Sequence, residues 1–294
     1  MSRSRGRVVE KAERTAVLLS DEGRREVDVG DADVRPGDWV VVDNDGDNRV
    51  DVVRRSGRAD PGGAERRVLD PRRLRAMDVL AATEHAIRVF FRERGFREVR
   101  TPALVGSPGM EPHLRPFRLG TRYLHTSPEF AMKRLLVGGL TSIFQICPVF
   151  RDEPASRTHR PEFTMLEWYR AWAGDQEIQR DTEELVAFLA EWVHGWSRIG
   201  EIDVAPPWPR LRVRDLFAEH AGVDLVADDL RAACARLGLA ADPGDTWDDL
   251  YFRIWLAVVE PRLPADRAVF VTRYPPSQAA LAVVDADPDG SPWA

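Results

Sequence analysis

The sequence predicts an α+β protein, an antiparallel sheet flanked by helices and preceded by a small β-barrel-like module. Three observations predict it. Short alternating runs separated by Gly, Asp and Pro turns fill residues 1–57. A stretch with helical apolar spacing follows, Leu74 to Arg94, stopped by Gly95. Two strands, Ser142 to Arg151 and Phe163 to Trp172, then flank a charged loop. Rigid walls carrying an adaptable polar rim suit a ligand clamp.

Arg7 to Lys11, Thr15 to Leu19, Arg25 to Val29, Trp39 to Val42 and Arg49 to Val53 read as five strands. Closing them would protect their edges, and the run resembles a stripped-down OB-type barrel. Lys and Arg do not outnumber Asp and Glu here, and Trp39 is nearly the only aromatic surface. The module therefore reads as structural or protein-docking rather than nucleic-acid-binding. Residues 1–57 form this domain, 58–70 a polar linker, and 71–294 the larger domain.

Pro71 opens the long helix where its missing N–H costs nothing, and Met77, Leu80, Ala81, Ile87, Val89, Phe90 and Phe91 line its apolar face. Phe96 to Arg100 is a strand running into Thr101-Pro102, and Tyr123-Leu124-His125 is another. Pro128 to Val137 is a helix ended by Gly138-Gly139. Asp175 to Trp196 is a longer one, with Asp175 as its cap. Arg212 to Ala218, Leu230 to Leu237 and Thr246 to Val259 are smaller helical pieces. Val269 to Thr272 is a late strand, and after Val284 comes a turn-rich tail with little to pack.

The formal net charge of -6 disfavours non-specific nucleic-acid binding. Cys147 and Cys234 make neither a disulfide framework nor a zinc cluster, which suits a reducing cytoplasm. Cys147, in an apolar strand, reads as a small core residue. No apolar run is long enough to cross a bilayer, and no apolar segment follows the basic start, so a cytoplasmic location is expected.

The chemistry concentrates on the strand pair. Arg151 closes an apolar strand, where its planar fork can grip a phosphate. Glu153 can accept from a base amino group, and Phe163 can stack on a purine. His159 and Arg160 can reach outer phosphates. Glu167 and Tyr169 share a face, and a carboxylate beside a phenol receives an ammonium group. Glu162 reads as a local surface acid. The tryptophans Trp168, Trp172, Trp192 and Trp196 read as packing, with Trp168 bordering the pocket. His85 reads as structural, and His125 as orienting the segment that follows it.

Arg151-Asp152-Glu153 through Glu167-Trp168-Tyr169 resembles the second signature motif of class II aminoacyl-tRNA synthetases, in the lysyl branch. Gly95 through Pro102 resembles motif one, whose proline sits at the dimer interface. The runs Thr126 through Leu136, Phe144-Gln145-Ile146-Cys147 and Pro276 through Leu281 look closer to the compact lysyl-transferase homologues that modify elongation factor P. The resemblance covers roughly residues 70–284. It implies that Arg151 holds the α-phosphate of ATP, that Glu153 contacts the adenine side, that Phe163 stacks on the ring, and that His159 lies near the outer phosphates. Glu129 would receive the backbone amine of the amino acid, Glu167 and Tyr169 the distal ammonium, and Gln145 the activated carboxylate. His113 would line the substrate mouth. ATP and Mg2+ are the implied cofactors, with no metal ligand identifiable in the chain. Lysine or β-lysine is the implied substrate, elongation factor P the acceptor, and a homodimer through motif one the assembly.

The pattern has departures. In the family, an acidic metal-binding strand and motif three follow the Ser-Gln segment. Here Asp285, Asp287 and Asp289 occupy a short tail that does not match. The expectation is an incomplete six- or seven-stranded core in a chain truncated, split or cut short. The N-terminal module is shorter than the family's anticodon-binding barrel, which argues for protein modification over the alternative of lysine–tRNA ligation, while the absent motif three leaves a non-catalytic ATP- or protein-binding relic as a further alternative.

Overall fold

The computed structural model describes residues 3–20, 23–43, 49–55, 71–109, 111, 114–279 and 281–294. The linker expected at 58–70 and the candidate His113 lie outside the described residues. The chain divides into two units, Met1–Thr83 and Glu84–Ala294.

In the first unit the alternating runs form β1 (Arg3–Lys11), β2 (Thr15–Ser20), β3 (Gly23–Asp28), β4 (Trp39–Asp43) and β5 (Val50–Arg54). They pair antiparallel in the order β3-β2-β1-β4-β5. One side chain in two turns inward, and Val8, Ala16, Leu18, Val27, Val40 and Val42 share a core with Val29 and Val34 from the connecting loops. A Cβ at Gly6 would stand 2.6 Å from the Leu19 carbonyl oxygen, so β1 meets β2 there only through glycine. The buried Asp38 carboxylate accepts from Arg35 N at 3.0 Å and Arg55 Nη1 at 3.1 Å, fixing the turn before β4. The order leaves β3 and β5 at the edges, and among the described residues no pairing closes them into a barrel.

Helix α1 (Pro71–Glu93) enters the second unit at Glu84. The short strands β6 (Arg97–Glu98), β7 (Leu104–Val105), β8 (Arg118–Leu119) and β9 (Arg122–Leu124) follow, and then α2 (Glu129–Val137). β10 (Ser142–Phe150) and β11 (Glu162–Arg170) form the long hairpin. β6 lies parallel to β10, giving the sheet order β11-β10-β6, three strands among the described residues. β7, β9 and β8 make a separate small sheet. Behind the hairpin, Ile87, Phe90 and Phe91 of α1 pack with Phe96, Phe144 and Leu185. Burying such side chains contributes about 1.5–3 kcal/mol each.

Leu185 belongs to α3 (Asp175–His194). Its N-cap is Gly174, whose N–H donates to Glu177 Oε2 at 2.9 Å, so Asp175 lies in the first turn rather than capping it. The hairpin β12 (Arg198–Ile199) and β13 (Ile202–Asp203) leads to β14 (Arg210–Arg212) and α4 (Val213–Ala221). α5 (Leu230–Arg236) and α6 (Trp247–Ile254) follow, the latter extended by a π turn over Trp255–Val259. β15 (Phe270–Thr272) pairs parallel with β14, and β16 (Asp285–Ala286) antiparallel with β17 (Pro292–Trp293).

The tail packs, contrary to the expectation from sequence. Trp293 is 3% exposed in the core built by α4, α5 and α6. Tyr274 and Ala294 exchange two backbone hydrogen bonds of 2.9 Å. Asp287 pairs with Arg212, and Asp289 with Arg214.

Candidate active site

β10 and β11 stay in register from Ser142↔Arg170 to Phe150↔Glu162. Directly opposed residues share a face, and the faces alternate. Phe144, Trp168, Ile146 and Leu166 turn to the core behind the hairpin. Ile143 and Tyr169, Gln145 and Glu167, Cys147 and Met165, Val149 and Phe163 therefore form the other face. That face carries the polar side chains. Trp168 stands on the core side instead of bordering the pocket, and Cys147 stands on the site face instead of in the core. Burial pushes the Cys147 thiol above its usual range.

One end of the face joins a cation to an aromatic ring. Arg151 follows β10 directly, and its N–H donates to the Pro161 carbonyl at 2.9 Å. Its guanidinium lies 5.2 Å from the Phe163 ring centroid, while its Nε is buried without a partner. The chain then turns, with Glu153 N donating to Arg151 O at 2.9 Å. His159 sits exposed in the loop, its Nδ1 3.1 Å from both Ser156 Oγ and Thr158 Oγ1. Glu162 is exposed.

The other end gathers acids and hydroxyls. Glu167 accepts from Ser127 Oγ at 2.7 Å through one oxygen and from Tyr169 OH at 2.5 Å through the other. Ser127 Oγ also accepts from Glu129 N at 3.1 Å, joining the start of α2 to the hairpin. Burial pushes the Tyr169 phenol well above its usual range, and the hydrogen bond and charge of Glu167 and the charge of Glu129 add to this. Glu129 and Glu167 thus share one neighbourhood. Glu129 already has a cation: Lys133 Nζ lies 2.6 Å from its Oε1.

Between the two ends stands Gln145, 1% exposed. Its Oε1 accepts from Thr101 N at 2.9 Å, and its Nε2 has no partner. His125 Nε2 lies 2.8 Å from the Pro148 carbonyl, which can only accept, so the ring proton is on Nε2. Phe150 N donates to His125 O at 3.1 Å. These bonds clamp the segment before α2 against β10.

Buried polar atoms are normally paired. Here Thr101 Oγ1, Glu111 Oε2, Thr126 Oγ1, Gln145 Nε2 and Arg151 Nε are buried and unpartnered. Polar groups held ready in this way suit a bound ligand rather than a sealed interior. Arg151 over Phe163 sets a cation beside an aromatic ring. Among the described residues no group of three His, Cys, Asp or Glu side chains is placed to hold a metal.

Sequence reasoning passed over Ser127, Lys133, Thr126 and Glu111 as individual site groups. Ser127 had a local signal: a hydroxyl two residues before the first helical N–H is a common turn motif. The i,i+4 spacing of Glu129 and Lys133 was also a signal.

Residues 64–290 match the family described as tRNA synthetases class II (D, K and N). The chain is 38% identical over 215 residues to a lysine–tRNA ligase of Pelotomaculum thermopropionicum, covering 67% of this chain and 42% of that protein. It is 37% identical over 222 residues to an elongation factor P–(R)-β-lysine ligase of Sodalis glossinidius, covering 70% of this chain and 64% of that protein. A protein of the same description from Yersinia enterocolitica is 36% identical over 222 residues, with the same coverage of 70% and 64%. The chain thus spans less than two thirds of the length of these relatives.

Proposed function

The chain belongs to the class II tRNA synthetases of the D, K and N type, and from that premise we propose that it activates lysine or β-lysine with ATP and passes the acyl group to a lysine of elongation factor P. The observation that carries this reading is the shared face of β10 and β11. The Arg151–Phe163 grip and the Glu167–Tyr169 receiver stand on it, four strand residues apart from Phe163 to Glu167, or about 13 Å.

In this reading the substrate carboxylate attacks the α-phosphorus of ATP, the bond to pyrophosphate breaks, and an acyl-adenylate forms. Arg151 offsets the charge that builds on the α-phosphate. Phe163 stacks on adenine, Glu153 contacts its amino side, and His159 meets the outer phosphates. Glu167 and Tyr169 hold the distal ammonium, Glu129 lies at the nearer amine, and Gln145 Nε2 orients the carboxylate. Magnesium would enter with the nucleotide. The acceptor amine then attacks the acyl carbon, the bond to AMP breaks, and the amine loses a proton. No side chain serves as nucleophile, so catalysis is positioning and charge stabilisation. The region of Thr101-Pro102 would meet a second copy in a dimer.

ATP–pyrophosphate exchange dependent on lysine or β-lysine tests the reading. Exchange that Arg151→Ala abolishes supports it. A folded chain with no exchange rejects it as an autonomous activity.

One observation favours transfer to tRNA as a second reading. In the first unit Arg3, Arg5, Arg7, Arg24 and Arg25 line one cavity of about 790 Å3 with Trp39, which is 45% exposed. Cations around an exposed ring are suited to stacked bases and phosphates. Lysine esterified to an intact tRNA transcript would establish this alternative, and failure to charge any transcript would exclude it.

A further inference from the structure

A cavity of about 450 Å3 in the second unit is walled by arginines from three elements. Arg180 comes from α3, Arg210 and Arg212 from β14, and Arg273 directly follows β15. Arg210 and Arg212 stand two apart on one strand, so they share a face about 7 Å from each other. β15 lies alongside with Thr272 opposite Arg212, which adds a hydroxyl to the same wall.

Two of the four guanidinium forks are fixed and two are loose. Arg210 Nη1 meets the buried Glu183 at 2.6 Å and the Trp208 carbonyl at 2.7 Å, and its Nε donates to Gln179 Oε1 at 3.0 Å. Its guanidinium also lies 5.2 Å from the Phe270 ring centroid. Arg212 Nη2 is held by Asp287, whose side chain is 8% exposed. These bonds leave donors over: among the described residues Arg210 Nη2 and Arg212 Nη1 make no hydrogen bond. Arg180 pairs with Glu177 at the surface, and the nearest acid to Arg273 is Asp285 at 3.9 Å. Exposed pairs of this kind hold weakly, so both side chains are free to turn to a ligand. The one acid in the lining, Asp175, accepts from Gln179 Nε2 at 3.2 Å.

Arg273 has a further mark. Its φ is +58°, in the left-handed region that suits glycine. Next to it Tyr274 exchanges two backbone hydrogen bonds with Ala294, which holds the chain in this shape. Such strain persists where the surroundings over-determine it, and it concentrates at ligand clamps.

We propose that this cavity binds a free oligophosphate, an anion with two or three phosphoryl groups in line. Planar forks grip phosphate oxygens in pairs, and four of them around one cavity call for more than one anionic group. The volume is that of a small-ligand pocket. The site uses neither Arg151 nor Phe163, so its failure would leave the reaction proposed above intact.

Calorimetric titration of the full chain with inorganic tripolyphosphate tests it. The titration is run at matched ionic strength in Arg151→Ala, where the other phosphate grip is gone. Tripolyphosphate should bind more than about tenfold tighter than sulfate. Adding Arg180→Gln and Arg273→Gly should weaken it about ten- to hundredfold, the scale of a charge-assisted hydrogen bond. Glycine suits the backbone at this φ, so the fold is kept while the guanidinium is lost. Binding no tighter than sulfate, or equal binding with both arginines replaced, overturns the site. So does an equal loss from Arg122→Gln on the exposed part of β9, the mark of general charge attraction. A short oligonucleotide that binds more tightly than tripolyphosphate, and loses as much to the same substitutions, overturns the assignment to a free oligophosphate.

Discussion

Tyr169 donates its phenolic proton to Glu167 Oε1 at 2.5 Å from two residues along the same strand face. Burial, then the Glu167 acceptor, raises the phenol above its usual range. Burial raises Tyr251 and Tyr274 as well. A folded-state pKa above the unfolded one gives stability that is complete below the unfolded value, about 10, and is lost as pH rises past it. Urea unfolding midpoints should therefore fall from about pH 10 upward, and Tyr169→Phe should fall less steeply. Parallel alkaline curves for the two proteins would show that the phenol is not held neutral.

Arg151 offers a fork that lysine cannot copy. Arg151→Lys keeps the charge but loses the bidentate geometry above Phe163, and pyrophosphate exchange should drop about 10²–10³-fold. Phe163→Leu removes the stacking surface and should weaken ATP by about 1–3 kcal/mol, roughly five- to 150-fold in KM. Unchanged ATP dependence in both variants would place the nucleotide elsewhere.

The hairpin and the acids on it were legible because a strand exposes alternate residues, so Glu167 and Tyr169 had to share a face. The same parity put Cys147 beside Gln145 on the site face, but its apolar neighbours made it read as core. Trp168 was misplaced for the mirror reason, since being next to Glu167 in sequence sets it on the opposite face. The approach of the Glu111 carboxylate to Gly109 was illegible, because only folding brings the two together. The tail was illegible too. A lone Trp293 has no periodicity around it, and its burial depends on helices far back in the chain.

Arg170 leaves β11 to meet Asp181 on α3 with two hydrogen bonds, Nε to Oδ2 at 3.1 Å and Nη2 to Oδ1 at 2.7 Å. Asp181 is 6% exposed, and the guanidinium also lies 4.9 Å from the Phe96 ring centroid. Arg170→Ala would strand a buried carboxylate and should destabilise the second unit by about 3 kcal/mol, the lower end for such pairs because the arginine is partly exposed. Arg170→Lys should recover part of that. Equal denaturant midpoints for all three proteins would mean the pair contributes nothing.

Trp293 fastens the last strand to the second core. Its ring is buried there, and its Nε1 donates to Ser291 Oγ at 2.9 Å. Ser291 in turn bonds Asp289, which pairs with Arg214 at the start of α4. Asp287 and Asp289, which do not match the family's metal-binding strand, thus serve to anchor the tail. Trp293→Ala leaves a cavity and should cost about 3–5 kcal/mol. Limited proteolysis should then cut the variant after Val284 well before the parent chain. Matching cleavage rates and unfolding midpoints would show that the tail does not depend on the ring.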